Sequence, residues 1–148
     1  MMGIVTRDRI VRLEFCSCLD MLEPVQVVTD QVGRLVGLDE DALHWVSVAV
    51  RESVINAVQH GNQNDRRKRV FIEFLSSATN GSAELTILVR DEGQGFDPST
   101  LPDPLSPENI LKPHGRGVFL IRSSMDEVVL RKIPEGGMEV RMVKRAQR

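Results

Sequence analysis

Three short segments carry residues whose types and spacing suit a phosphorylated ligand. In the first, Glu52-x-x-x-Asn56-Ala57-x-x-His60-Gly61, the residues Glu52, Asn56 and His60 recur every fourth position. On a helix that spacing stacks an acid, an amide and an imidazole on one face. The second is Asp91-Glu92-Gly93-Gln94-Gly95-Phe96, directly after an apolar run. Its glycines permit tight turns and a close approach of backbone to ligand. Asp91 at the end of a strand can accept a hydrogen bond from an exocyclic amine such as that of adenine. The third is His114-Gly115-Arg116-Gly117, where a proline-rich stretch meets a helix. Glycines opening a helix present free N–H groups and the positive dipole end, which suits phosphate. No Gly-Lys-Ser/Thr follows, so this is not a Walker phosphate loop. Alone, each segment has an ordinary explanation: a solvated helix face, a plain Asp/Gly turn, a helix start that happens to be rich in glycine.

The elements around them can be read from periodicity. Residues 10–19 alternate apolar and polar, a strand pattern. Val25, Val28, Val32, Leu35 and Val36 fall at helical spacing between Glu23 and Val36, and Gly37 is the expected stop. Asp39-Glu40-Asp41 places acid at the start of a second helix, where the dipole favours it. That helix carries the core stripe Val46, Val50, Val54, Val58 and is expected to run to His60-Gly61. Residues 69–75 and 84–90 read as a hairpin turning at Asn80-Gly81. Five of the seven prolines lie between Asp97 and Pro113, which excludes regular structure throughout. A long irregular loop in a compact domain is usually functional. A helix over 115–125 and strands over 127–133 and 138–144 complete the order β-α-α-β-β-loop-α-β-β. The predicted fold is α+β: a two-layer sandwich, its sheet mostly antiparallel and its helices on one face.

The 148 residues suit a single domain spanning 1–148. At 41% hydrophobic and 27% charged the composition is globular. A net charge of −2 gives no reason to expect direct nucleic-acid binding. No apolar run is long enough for a membrane span, and the N-terminus does not read as a secretory signal. Cys16 and Cys18, two apart in the predicted strand, would share a face, and read as small apolar side chains in a reducing cytoplasm.

Taken in order, with a long loop between the second and third, the three segments resemble the N, G1 and G2 boxes of the GHKL ATP-binding fold. Gyrase, the heat-shock chaperone ATPase and histidine kinases share that fold. The resemblance covers nearly the whole chain. The run Gly115-x-Gly117-x-x-x-Ile121, with Met125-Asp126-Glu127-Val128 after it, is most similar to the bacterial anti-sigma factor serine kinases. The resemblance implies ATP and Mg²⁺ as cofactors. Asn56 would be the metal ligand, and Glu52 the catalytic general base. Asp91 would bind the adenine amine, with Gly93 and Gly95 passing close to the base. Gly115 and Gly117 would turn the backbone around the phosphates, with His114 and Arg116 adding positive charge. Residues 97–113 would form an ATP lid. Two positions depart from the family. Met138 follows Gly136-Gly137 where a Thr is common, implying a more apolar adenine pocket. Pro113, beside Lys112, stands where a basic residue is frequent.

Two functions follow as expectations. The first is an anti-sigma factor with serine-protein kinase activity, sequestering a sigma factor and phosphorylating an anti-sigma-factor antagonist. The second is a nucleotide-gated binding regulator with little or no kinase activity. A cytoplasmic homodimer is expected from the family in either case. A complete two-component histidine kinase fits poorly, because the chain has no room for a separate phospho-accepting helical hairpin.

Overall fold

The computed structural model of the chain describes residues 5–79, 82–95 and 116–146. The predicted turn at Asn80-Gly81, the lid 97–113, His114 and Gly115 lie outside the described residues. Strand β1 spans Val5–Cys16, followed by a single 3₁₀ turn at Leu19–Met21. Helix α1 spans Leu22–Val36 and α2 spans Glu40–Ile55, continuing as a π-helical turn over Asn56–Gly61. Strands β2 (Arg69–Thr79) and β3 (Ser82–Arg90) precede α3 (Arg116–Ser124), and β4 (Glu127–Lys132) and β5 (Met138–Arg145) close the order.

Local chemistry sets the helix ends. Gly37 takes a left-handed conformation (φ 96°) and its N–H bonds the carbonyls of Gly33 and Arg34, while Leu38 N–H also reaches Gly33. Asp39 then caps α2, its carboxylate accepting from Ala42 N–H at 2.8 Å. Gly33 lets the two helices cross closely: a Cβ there would lie 2.5 Å from Leu43 Cδ2.

The five strands form one sheet in the order β1-β2-β3-β5-β4, every neighbouring pair antiparallel. Period-2 alternation gives the sheet one apolar face. Phe15, Val70, Ile72, Phe74, Leu85, Ile87, Val89 and Met142 are buried there, against Val25 and Val32 of α1, the α2 stripe, and Ile121 of α3. The stripe Val46, Val50, Val54, Val58 is fully buried as its spacing predicts. Leu35 departs from its predicted stripe and is 64% exposed. The other face of the sheet carries charges: Arg12–Glu73, Arg69–Glu14, Arg131–Glu139, and Arg145 between Glu84 and Glu127. Arg90 lies over the Phe71 ring at 4.4 Å. Such exposed pairs add little stability singly, but they leave this side of the sheet to solvent. The fold is thus the predicted two-layer α+β sandwich.

The first strand differs from expectation. It starts at Val5, pairing Val5 with Thr79 across a register shift between Asp8 and Ile10, and it ends at Cys16. Ser17 turns the chain out of the sheet: its N–H and its hydroxyl both bond Lys68 O, at 3.1 and 2.8 Å. Cys18 therefore lies beyond the strand and does not share a sheet face with Cys16. Both cysteines are free and half-buried. Among the described residues, no helix is long and apolar enough to cross a membrane.

Candidate functional site

The end of α2 with its π turn, the residues just after β3, helix α3 and the start of β5 line a cavity of about 250 Å³. Asn56, His60, Asp91, Gly95, Met138 and Lys68 are among the residues that line it. Polar groups converge at two places, and apolar Val89, Ile121, Leu130 and Val140 lie among its walls. That is the make-up of a small-molecule site.

Asn56 and Glu52 form one polar place. Asn56 N–H bonds Glu52 O, so the two side chains leave the helix one turn apart. The first turn of α3 packs on them. A Cβ on Gly117 would lie 2.8 Å from Asn56 Nδ2 and 3.2 Å from Glu52 Oε2, so a larger residue would displace both side-chain ends. Two sequence-distant motifs, expected to meet at a phosphate, do meet here. Glu52 stands at the edge of this place rather than in the cavity wall.

Asp91 is the other. It follows β3, and its N–H bonds Met138 O at 3.1 Å. Its Oδ1 accepts from Gly93 N–H (2.9 Å) and Met138 N–H (3.2 Å). Three glycines crowd it. A Cβ on Gly61 would collide with the Asp91 carboxylate, one on Gly93 with Gly61 O, and one on Gly137 with Asp91 O. Gly95 and Gly137 have positive φ (76° and 98°). Burial pushes the Asp91 carboxyl above its ordinary value, outweighing the two N–H donors and the charge of Lys68.

That shift makes a pH prediction. The folded state holds this proton more tightly than the unfolded chain. Stability from this group is therefore fully present below the ordinary carboxylate value and is lost as pH rises through the raised one. If Asp91 accepts from an amine-bearing base, as the family resemblance implies, its ionised form is the stronger acceptor and ligand affinity runs the other way. Affinity should then fall as acidification protonates Asp91, at a pH above its ordinary value. Titrations at stepped pH, with Asp91→Asn as reference, check this: the variant should lack that inflection.

Among the described residues no group of three or more His, Cys, Asp or Glu could hold a metal ion by itself. An Asn56 amide oxygen in the cavity wall fits a different arrangement, in which Mg²⁺ keeps water and phosphate oxygens and takes one protein ligand.

The last turn of the motif helix was expected to be α-helical. It is π-helical instead, with Asn62 N–H bonding Ala57 O at 2.8 Å. π turns occur often at functional sites. The sequence reading also passed over Asn62, which is fully buried, and Lys68 in the cavity wall. Lys68 sits in the basic run Arg66–Arg69. Gly61, the predicted helix stop, and Gly137, between the last two strands, both pack against Asp91. Arg116 is the first residue of α3.

The comparisons agree with this geometry. The model of the histidine kinase-like ATPase domain matches residues 17–144. The serine-protein kinase RsbW of Staphylococcus aureus strain JH9 is 28% identical, over 94% of this chain and 88% of that protein. The same protein of strain Newman matches equally. The solved structure of the RsbU and RsbW domains of Rv1364c from Mycobacterium tuberculosis superposes with a TM-score of 0.64 at 14% identity. It covers 95% of this chain and 33% of that one, and speaks for the fold alone. With the family model matching most of its length, this chain belongs to the histidine kinase-like ATPase domain family.

Proposed function

We propose that the chain binds Mg-ATP in this cavity and is a serine-protein kinase that also holds its partner by contact. The carrying observation is that one cavity has Asn56 at one polar place and Asp91 at the other. Asp91 would accept from the adenine amine, with Val89 and Met138 against the base. Asn56 would ligate Mg²⁺, which neutralises phosphate charge when bound. Gly117 would bring the α3 N-terminus to the phosphates. Glu52 would take the proton of an attacking serine hydroxyl. The name of the Staphylococcus relatives supports the kinase half. The partners would be a sigma factor, held inactive, and an antagonist phosphorylated on serine, with a homodimer as the working form.

Isothermal titration with ATP and ADP, with and without Mg²⁺, tests the site. Wild type should bind in a Mg²⁺-dependent way. Asn56→Ala should lose about tenfold or more in affinity, all of it from the Mg²⁺-dependent part, the scale of one charge-assisted contact. Equal binding by the variant would remove Asn56 from the metal.

The buried Met138 favours a second reading. A thioether is only a weak acceptor, so this wall adds little polar recognition of the base. A nucleotide-gated binding module would need no more than that.

A further inference from the structure

The motifs do not account for the most connected polar side chain near the cavity. Asn62 caps the π turn and is fully buried. Its Nδ2 donates to Ser17 Oγ at 2.7 Å and to Arg69 O at 3.0 Å. Its Oδ1 accepts from Glu92 N–H at 2.8 Å. Its backbone carbonyl accepts from Asp65 N–H at 3.0 Å. One amide therefore ties together the end of β1, the start of β2, the π turn and the residue after Asp91. Only a carboxamide offers two donors and an acceptor at one buried point. A second bond reinforces the tie, since Glu92 Oε1 accepts from Arg69 N–H at 2.7 Å. The backbone around it has no slack, because Gly93 lies against the Gly61 carbonyl.

We propose that Asn62 is a positioning residue that fixes the Asp91 loop against the helix bearing Asn56, and so sets the nucleotide preference of the site. The inference rests on Asp91 reading the base and Asn56 serving the metal. Asn62 itself lies behind the cavity wall. Its Oδ1 bond to Glu92 N–H holds the peptide next to Asp91. Without that bond the Asp91 loop keeps its own ties to Met138 and Gly93 but loses its side-chain tie to the end of the Asn56 helix, and its distance from that helix is less tightly set. A base recognised by one amine–carboxylate contact is sensitive to that displacement, because a misplaced acceptor no longer separates adenine from guanine. The contribution of Mg²⁺ enters through Asn56 and is left in place.

The test is titration of the full chain with ATP and with GTP, both with Mg²⁺, alongside thermal unfolding, for wild type, Asn62→Ala and Ser17→Ala. Asn62→Ala should weaken ATP binding about tenfold and shrink the ATP-over-GTP preference by a similar factor. Ser17→Ala removes two bonds on the side of the cluster away from Asp91, the one from Asn62 Nδ2 and the one to Lys68 O. It should unfold at lower temperature with the preference intact. If Asn62→Ala lowers only the unfolding temperature and keeps the wild-type preference, the positioning role is wrong. Should Asn62→Ala fail to fold, Asn62→Asp decides the matter. It retains an acceptor for Glu92 N–H while losing the donors to Ser17 Oγ and Arg69 O, so in folded protein the preference should survive at reduced stability, and collapse of the preference would overturn the proposal. A wild type that binds neither nucleotide overturns the reading of the site itself, a result distinct from failure of the Asn62 role alone.

Discussion

Glu52→Ala should cut phosphate transfer from Mg-ATP to a partner serine by about 10²- to 10⁴-fold, the usual contribution of a general base. ATP affinity should change by no more than about twofold, since Glu52 lies outside the cavity wall. The geometry makes this the most informative substitution. Glu52 belongs to the regular part of α2, one turn before Asn56, and its Oε2 faces the Gly117 backbone at the first turn of α3. A hydroxyl aligned on a terminal phosphate at that helix start would come within reach of this carboxylate. Glu52→Gln is the stricter version, keeping shape and polarity while removing the proton acceptor. Transfer assays with labelled ATP, paired with titration of each variant, separate the two functional readings. Unchanged transfer would mean that the base is another group. Tight nucleotide binding without transfer even in wild type would favour the nucleotide-gated module.

Gly93→Ala should be among the most damaging single methyls at the described glycines. The added Cβ collides with the Gly61 carbonyl, a backbone atom that cannot rotate away. Relief requires separating the Asp91 loop from the π turn, which strains the Asn62 bond to Glu92 N–H. Overpacking of this kind costs about 1–3 kcal/mol, occasionally more. Part of that loss should appear as reduced denaturant stability and part as ATP affinity lowered by tenfold or more. Gly37→Ala is the comparison. Its Cβ meets nothing within 4 Å, and its positive φ of 96° is the only strain. That change should cost about 1–2 kcal/mol of stability and leave nucleotide binding alone. Equal affinity losses in the two variants would show that general destabilisation, not the crowding at Asp91, governs the site.

Much of this was legible in the sequence because it is local. The Val46-to-Val58 stripe declares a buried helix face by spacing alone, and Asp39 and Gly37 declare the ends of two helices. Asp91 and Gly93 are ordinary turn residues after a strand, and stand out only in order with the other two segments. What escaped depends on partners distant in sequence. The start of β1 at Val5 is decided by pairing with Thr79, and residues 5–9 carry little apolar signal of their own. Leu35 satisfies the helical spacing yet lies on the solvent side of α1. Gly61 looks like a helix stop in one dimension. In three it is the floor beneath the Asp91 carboxylate, supplied by a strand end thirty residues later. Asn62 resembles any loop asparagine until Ser17, Arg69 and Glu92 arrive around it. The π turn belongs with it, for an α and a π ending have the same composition.

The π turn over Asn56–Gly61 also changes how relatives should be lined up. A π turn is an α-helix that has taken in one extra residue. A relative one residue shorter between its counterparts of Asn56 and Asn62 has not thereby lost the site; it closes the same helix with an ordinary turn. One residue on an α-helix is about 100° of rotation. The side chains after the gap would then leave in a different direction, and the buried amide would need another owner. A single-residue gap at this place is therefore a marker of descent. It would sort family members by how they fasten the Asp91 loop to the Asn56 helix, before any difference in their partners is considered.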